Sequence, residues 1–191
     1  MNAAHPITLT VGGGKTMDSA AVSFTDVADG DYFAAAVKWA VEKNVTVGTS
    51  ETTFLPNDTC TRAQIITFLW RAVGSPKASA QNPFTDVKKT DYFYDAVVWA
   101  YQNGMVSGSL FEGNTLCTRS ATVIYLWKNA GSPETKTTSL FTDVASSSEY
   151  AEAVAWAVNN NITSGTSDTI FSPDMTCTRG QIVTFLFRAI K

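Results

Sequence analysis

Three arginines are the residues in this sequence best placed to do chemistry. Arg62, Arg119 and Arg179 each follow a Cys-Thr pair and each lead into an apolar run. The runs are Ile65-Ile66-Thr67-Phe68-Leu69-Trp70, Val123-Ile124-Tyr125-Leu126-Trp127 and Ile182-Val183-Thr184-Phe185-Leu186-Phe187. Each copy reads as a helix start. Thr61 and Thr178 are placed to cap it, and Gln64 and Gln181 stand three residues on, where a capping box needs them. The middle copy has Thr118 but Ala121, so its box is half made. The arginine then occupies the first helical position, where the helix dipole disfavours a cation by roughly 0.3–1 kcal/mol and favours an anion. A guanidinium set there points to a negative partner. Two partners fit: an external anion, or an aspartate elsewhere in the fold.

Other reactive groups are sparse. Cys60, Cys117 and Cys177 share one repeat position, and an odd number of equivalent cysteines is not a disulfide framework. They read as buried thiols ahead of a helix. A three-thiolate metal site is the competing arrangement, but the only histidine is His5, no Cys-x-x-Cys occurs, and no metal or cofactor is assigned. No Ser/His/Asp set, phosphate loop or carboxylate pair with acid–base spacing stands out, so the chain is not read as an enzyme.

The elements that position these groups recur three times. Phe24-Thr25-Asp26-Val27, Phe84-Thr85-Asp86-Val87 and Phe141-Thr142-Asp143-Val144 begin 60 and 57 residues apart, and Trp39, Trp99 and Trp156 follow each opening phenylalanine by 15. Between them, Phe33, Ala36, Val37, Ala40 and Val41 mark one face of an amphipathic helix, repeated at Phe93, Ala96, Val97, Ala100 and Tyr101 and at Tyr150, Ala153, Val154, Ala157 and Val158. Asp31, Asp91 and Ser148 are the expected N-caps, and Asn44, Asn103-Gly104 and Asn160-Asn161 the expected left-handed stops. The tryptophans lie off the centre of the apolar stripe. They either pack against a neighbouring repeat or offer a face to a sugar ring.

A loop follows with a fixed glycine, Gly48, Gly108 or Gly165. From that glycine to the arginine the chain runs 14, 11 and 14 residues, so the middle loop is three shorter and lacks the proline of Phe54-Leu55-Pro56 and Phe171-Ser172-Pro173. The helix after each arginine is apolar nearly all round and belongs at the centre of an assembly. Gly74-Ser75-Pro76 and Gly131-Ser132-Pro133 end the first two copies. Repeats are thus expected at 24–76, 84–133 and 141–191, each too small to bury its own apolar face. Residues 1–23 read as a leader or linker or the tail of a preceding domain, with a strand near 7–11 and a flexible join at Gly12-Gly13-Gly14.

Composition narrows the function classes. A formal charge of -3 carries no basic excess of the kind a nucleic-acid binder needs. No apolar run approaches a membrane span of about 18 residues. The first residues lack the basic start and apolar core of an export signal, so a signal for an exported protein would lie outside this chain or have been removed.

Phe-x-Asp-Val, an amphipathic helix, a glycine loop and Thr-Arg opening a second helix together resemble the S-layer homology domain in three tandem copies, over 24–191. The resemblance implies a mainly α fold, with three helix-loop-helix repeats in a pseudo-threefold arrangement around a central three-helix bundle. It also implies a non-covalent anchor for an exported bacterial protein at the cell wall. The implied ligand is an anionic secondary cell-wall polysaccharide, in some cases pyruvylated, or a peptidoglycan-linked glycan, held in grooves between repeats. Carried over by motif, the glycan-binding residues are Arg62, Arg119 and Arg179, Asp26, Asp86 and Asp143, and Gly48, Gly108 and Gly165, with Trp39, Trp99 and Trp156 as further candidates. The aspartates would orient the arginine or bond sugar hydroxyls, and the glycines would let backbone approach the ligand.

Departures from the family pattern limit this. The family's glutamate after Thr-Arg-Ala is Gln64, Ala121 and Gln181 here, and its His-Trp is Tyr32-Phe33, Tyr92-Phe93 and Glu149-Tyr150. Fewer than three competent grooves are expected, with the middle repeat contributing structure more than binding. The alternative from another class is a structural or protein-binding surface module with no glycan ligand.

Overall fold

Each apolar run after Cys-Thr-Arg is a helix that starts at its arginine. In the computed structural model, which describes residues 8–11, 15–18, 23–135 and 141–191, these helices are α2 (Arg62–Ala72), α4 (Arg119–Asn129) and α6 (Arg179–Ile190). The amphipathic stretches give α1 (Ala34–Glu42), α3 (Tyr94–Gln102) and α5 (Ala151–Asn159). The only sheet among the described residues is the antiparallel pair β1 (Thr8–Val11) and β2 (Lys15–Asp18), so the fold is mainly α. The strand expected near 7–11 is therefore present. His5 and the glycine join at 12–14 lie outside the described residues.

Local chemistry sets the helix ends. Thr61 Oγ1 accepts the Gln64 amide at 3.3 Å while Gln64 Oε1 accepts the Thr61 amide at 2.9 Å, and Thr178 with Gln181 does the same at 3.3 and 3.0 Å. Thr118 accepts the Ala121 amide at 3.2 Å with no return bond from the alanine, the expected half box. Asn44, Asn161 and Gly104 end the first helices at φ of 56°, 55° and 68°. After α2 and α4 two successive residues turn left-handed, Gly74 with Ser75 and Gly131 with Ser132, so the serines share the turn with the glycines.

The expected caps at Asp31 and Asp91 are not caps. Helices α1 and α3 begin after Phe33 and Phe93 with no side-chain cap. The carboxylates point backwards instead: Asp31 accepts the amide of Ala28 at 2.8 Å and Asp91 that of Lys88 at 2.7 Å, each closing the turn before the helix. Ser148 likewise does not cap α5, whose N-cap is Tyr150; its carbonyl accepts the Ala151 amide at 3.0 Å and its own amide donates to the Ala145 carbonyl at 2.9 Å.

Packing joins different repeats. α1 lies against α6, α3 against α2 and α5 against α4, while α2, α4 and α6 touch one another pairwise. The first helix of each repeat therefore covers the second helix of the preceding one, and the first repeat closes onto the last. Ile65, Ile66, Leu69, Leu126, Ile182 and Leu186 of the second helices are 2% exposed or less, which accounts for their all-round apolar character. Buried Thr67, Thr122 and Thr184 satisfy their hydroxyls on carbonyls four residues back in the chain, at 2.7–2.8 Å.

Three strands of backbone meet where the second helices begin. The Cys60 amide donates to the Cys177 carbonyl (3.1 Å), Cys177 to Cys117 (2.9 Å) and Cys117 to Cys60 (2.8 Å), a closed ring of three hydrogen bonds. Its cysteines are fully buried and free, as expected of structural thiols, and burial is the largest influence on their pKa, pushing Cys60 and Cys117 up to about 12.

Candidate functional site

Each arginine reaches out of its own repeat into the loop of the next. Arg179 leaves the third repeat and donates Nε to the Phe54 carbonyl of the first repeat at 2.8 Å. Arg119 leaves the second repeat and donates Nε to the Phe171 carbonyl of the third at 2.9 Å. Arg62 leaves the first repeat and lies over the Phe111 ring of the second, with 5.4 Å from guanidinium carbon to ring centre. The other two stack more closely, Arg179 at 4.7 Å over Phe54 and Arg119 at 4.7 Å over Phe171. Backbone follows the same order: the amides of Arg62, Arg119 and Arg179 donate to Thr115, Met175 and Asp58. Those amides are the otherwise unpartnered donors of a helix start, and here the neighbouring loop takes them.

The aspartates belong to the receiving loop. Asp26 accepts the amides of Phe54 (2.9 Å) and Leu55 (2.7 Å), Asp86 those of Phe111 (2.8 Å) and Glu112 (2.7 Å), and Asp143 those of Phe171 (2.9 Å) and Ser172 (2.7 Å). Burial acts to raise each carboxyl, but the loop amides outweigh it, so all three sit below the usual carboxylate value and remain anionic. The second amide in each pair comes from a left-handed residue that is not glycine: Leu55, Glu112 and Ser172 have φ of 54°, 56° and 58°. Such backbone costs about 1–2 kcal/mol for an ordinary side chain, and the carboxylate holds it in place.

The glycines close the loops. A Cβ on Gly48, at φ of 89°, would come within 2.6 Å of the Phe24 ring and 2.8 Å of the Thr53 carbonyl. One on Gly165 would collide with the Ser167 and Ile170 carbonyls and the Phe141 ring. A Cβ on Gly108, at φ of 101° in the shorter loop, would meet only the Leu110 carbonyl, at an ordinary contact distance of 3.9 Å. The phenylalanine that crowds Gly48 or Gly165 is the one opening the repeat.

The structure thus brings together Asp26, Gly48 and Arg179; Asp86, Gly108 and Arg62; and Asp143, Gly165 and Arg119. Arg119 and Arg179 are 3% and 5% exposed, and burial lowers their pKa from the ordinary arginine value. The tryptophans take the packing alternative: Trp39 and Trp99 are buried, and Trp39 meets Phe187 of the last repeat edge-on at 5.7 Å. Trp156 is half-buried against the core.

Sequence reasoning missed the loop phenylalanines Phe54, Phe111 and Phe171, each fully buried and serving as aromatic floor for an arginine. A signal existed, since each follows its aspartate by 28, 25 or 28 residues as a lone aromatic in a polar loop. Also missed were Tyr32 and Tyr92, 63% and 64% exposed, whose hydroxyls lie near the capping Thr178 and Thr61 beside Arg179 and Arg62.

Among the described residues no group of histidine, cysteine or acidic side chains is arranged to hold a metal ion, and no helix is long and apolar enough to cross a membrane.

The sequence pattern of the S-layer homology domain matches residues 23–66, 83–121 and 140–183. The chain is similar to an endoglucanase of Bacillus sp. (strain KSM-635), 32% identical over 174 residues, covering 85% of this chain and 18% of that protein. It is also similar to the exoglucanase XynX of Acetivibrio thermocellus, 22% identical over 174 residues (87% and 16% of the two chains). An amylopullulanase of Thermoanaerobacterium thermosulfurigenes is 23% identical over 173 residues (86% and 9%). The chain spans less than a fifth of the length of each of these relatives.

Proposed function

Because the chain belongs to the S-layer homology domain family, we propose that it is the anchoring module of a larger exported bacterial protein and holds that protein non-covalently at the cell wall. The proposed ligand is an anionic secondary cell-wall polysaccharide, bound where an arginine of one repeat meets the loop of the next with a hydrogen-bond donor to spare. The three repeats act as one unit about a pseudo-threefold axis. Any hydrolytic activity of the whole protein, by analogy with the named relatives, belongs to other domains.

One observation carries the choice of ligand. Arg179 Nη2 and Arg62 Nε are buried N–H donors with no hydrogen-bond partner among the described residues. A buried donor left unpaired costs about 1–3 kcal/mol, and a carboxylate can remove that cost through directed, charge-assisted hydrogen bonds. The start of a helix adds a favourable field for the same charge. A sugar acid or pyruvate ketal supplies such a carboxylate. The aspartates, whose oxygens already accept loop amides, shape the loop, and we assign them a positioning role.

The experiment is sedimentation of the chain with purified wall sacculi before and after chemical stripping of the secondary polymer, with Arg179→Ala in parallel. Co-sedimentation that needs both polymer and arginine is the expected result. A folded chain that ignores sacculi would favour the structural or protein-binding alternative, for which the internal bonding of Arg119 is the supporting feature.

A further inference from the structure

The three arginines share a sequence position but differ in how far the protein satisfies them. Arg119 is the most fully bonded: besides its Nε bond to Phe171, its Nη2 donates to the Ser164 carbonyl at 2.7 Å and reaches the Thr163 hydroxyl at 3.5 Å, and its guanidinium also lies 5.7 Å from the Phe185 ring. Arg179 has the matching second ring, Phe68 at 5.6 Å, but keeps only one carbonyl, and its Nη2 has no hydrogen-bond partner among the described residues. Arg62 is only half-buried, and the Nε that bonds a loop carbonyl in the other two copies is unpartnered.

The cause is the heterologous pairing. Arg62 faces the loop of the second repeat, the one three residues shorter, so the shortened loop leaves its neighbour's arginine open. A second difference runs the same way. Exposed Tyr92 and Tyr32 stand at the helix starts of Arg62 and Arg179, whereas the third repeat has the exposed acid Glu149 at that sequence position. A phenol can cover a sugar face and donate a hydrogen bond; a carboxylate repels an anion.

We infer that the junctions are of two kinds: those of Arg62 and Arg179 bind a carboxylate-bearing glycan, and that of Arg119 is an internal clamp whose Nε and Nη2 the protein itself has bonded. This rests on the anchor reading above and makes the chain bivalent rather than trivalent. Two sites on one polymer reinforce each other through effective concentration, so losing either should weaken retention far more than it weakens binding of a small anion to the other.

The test uses the whole chain with Arg→Lys at each position, since lysine keeps the charge but loses the planar fork and the stacking. Retention on purified wall sacculi is measured per folded molecule, together with the thermal midpoint. Arg62→Lys and Arg179→Lys should each cut retention by about tenfold or more. Arg119→Lys should leave retention of the folded fraction unchanged and lower the midpoint by about 4 °C or more. Should Arg119→Lys fail to fold, the arginine Nε–H signals of the unaltered chain are followed by NMR during titration with sodium pyruvate. Saturable shifts at Arg62 and Arg179 without one at Arg119 support the inference, and a matching shift at Arg119 overturns it. If all three lysine variants lose retention equally, only the inequality falls. If none does while sacculi still bind, the arginine–carboxylate anchor reading falls with it.

Discussion

Asp26 and Arg179 are linked through a single residue contributed by the loop between them. Asp26 accepts the amide of Phe54 at 2.9 Å, and the carbonyl of Phe54 accepts Nε of Arg179 at 2.8 Å. Asp143, Phe171 and Arg119 repeat the relay at 2.9 and 2.9 Å. The acid of one repeat thus orients the arginine of another without contacting it, by fixing the loop that carries the acceptor.

This relay makes stability depend on pH in a defined direction. Asp26, Asp86 and Asp143 are held below their ordinary 3.8 because the loop amides overcome the opposing effect of burial. A carboxyl with a depressed folded-state pKa stabilises the fold fully above its unfolded value and loses that contribution as pH falls through the folded one. The denaturation midpoint should therefore stay nearly level between about pH 7 and 5 and drop below about pH 4. Asp26→Asn should reduce that drop, and a titration of midpoint against pH in both proteins checks it.

Alanine at the three loop glycines separates crowding from backbone conformation. Gly165→Ala collides with two carbonyls and Gly48→Ala meets both a ring and an unfavourable φ, whereas Gly108→Ala meets only the φ. Gly108→Ala should cost about 1–2 kcal/mol. Gly48→Ala and Gly165→Ala should cost clearly more, measured by guanidinium unfolding, and equal losses at all three would contradict the loop geometry.

The thiols should be silent in the folded protein. Burial pushes Cys60 and Cys117 up to about 12 and also raises Cys177, and all three are fully buried. Thiolate is the reactive form, so a disulfide reagent should label none of the 3 cysteines at neutral pH until denaturant is added, then all of them. Fast labelling of one in native buffer would mean that the backbone ring opens.

Wall retention should fall with salt. An arginine–carboxylate contact is partly ionic, and the screening length shrinks from about 10 Å at 0.1 M to about 3 Å at 1 M. Because the guanidinium of Arg179 is buried, the loss should be smaller for its junction than for that of half-exposed Arg62, which retention curves for Arg62→Lys and Arg179→Lys against ionic strength would separate.

What the sequence disclosed was mostly what a few adjacent residues decide. The capping boxes at Thr61 and Thr178, the left-handed Asn44 and Asn161, and the buried second helices follow from local bonding and periodicity. The caps at Asp31 and Asp91 were misplaced because the same carboxylates had a nearer turn amide to serve. Partnership between repeats was not legible, since a tandem period does not say which neighbour a helix covers. The short middle loop therefore pointed to Arg119, in its own repeat, when it bears on Arg62. Phe54 and Phe171 entered only as the start of a proline-ended loop motif, because their spacing within a repeat does not say that an arginine of another repeat will lie over them.

The closed ring of cysteine amides and carbonyls has a consequence for how the tandem array can change in length. In an open stack of repeats, a unit can be gained or lost at an end while every internal interface survives. Here the contacts of α1 with α6 and of Cys60 with Cys177 make the last interface also the first. Deleting a repeat would leave two unmatched faces, and inserting a fourth would force the ring to break. The number three is thus built into the geometry. Because that closure spans nearly the whole repeat region, folding must bring distant segments together before the final interface forms, which favours one slow cooperative step over repeat-by-repeat growth.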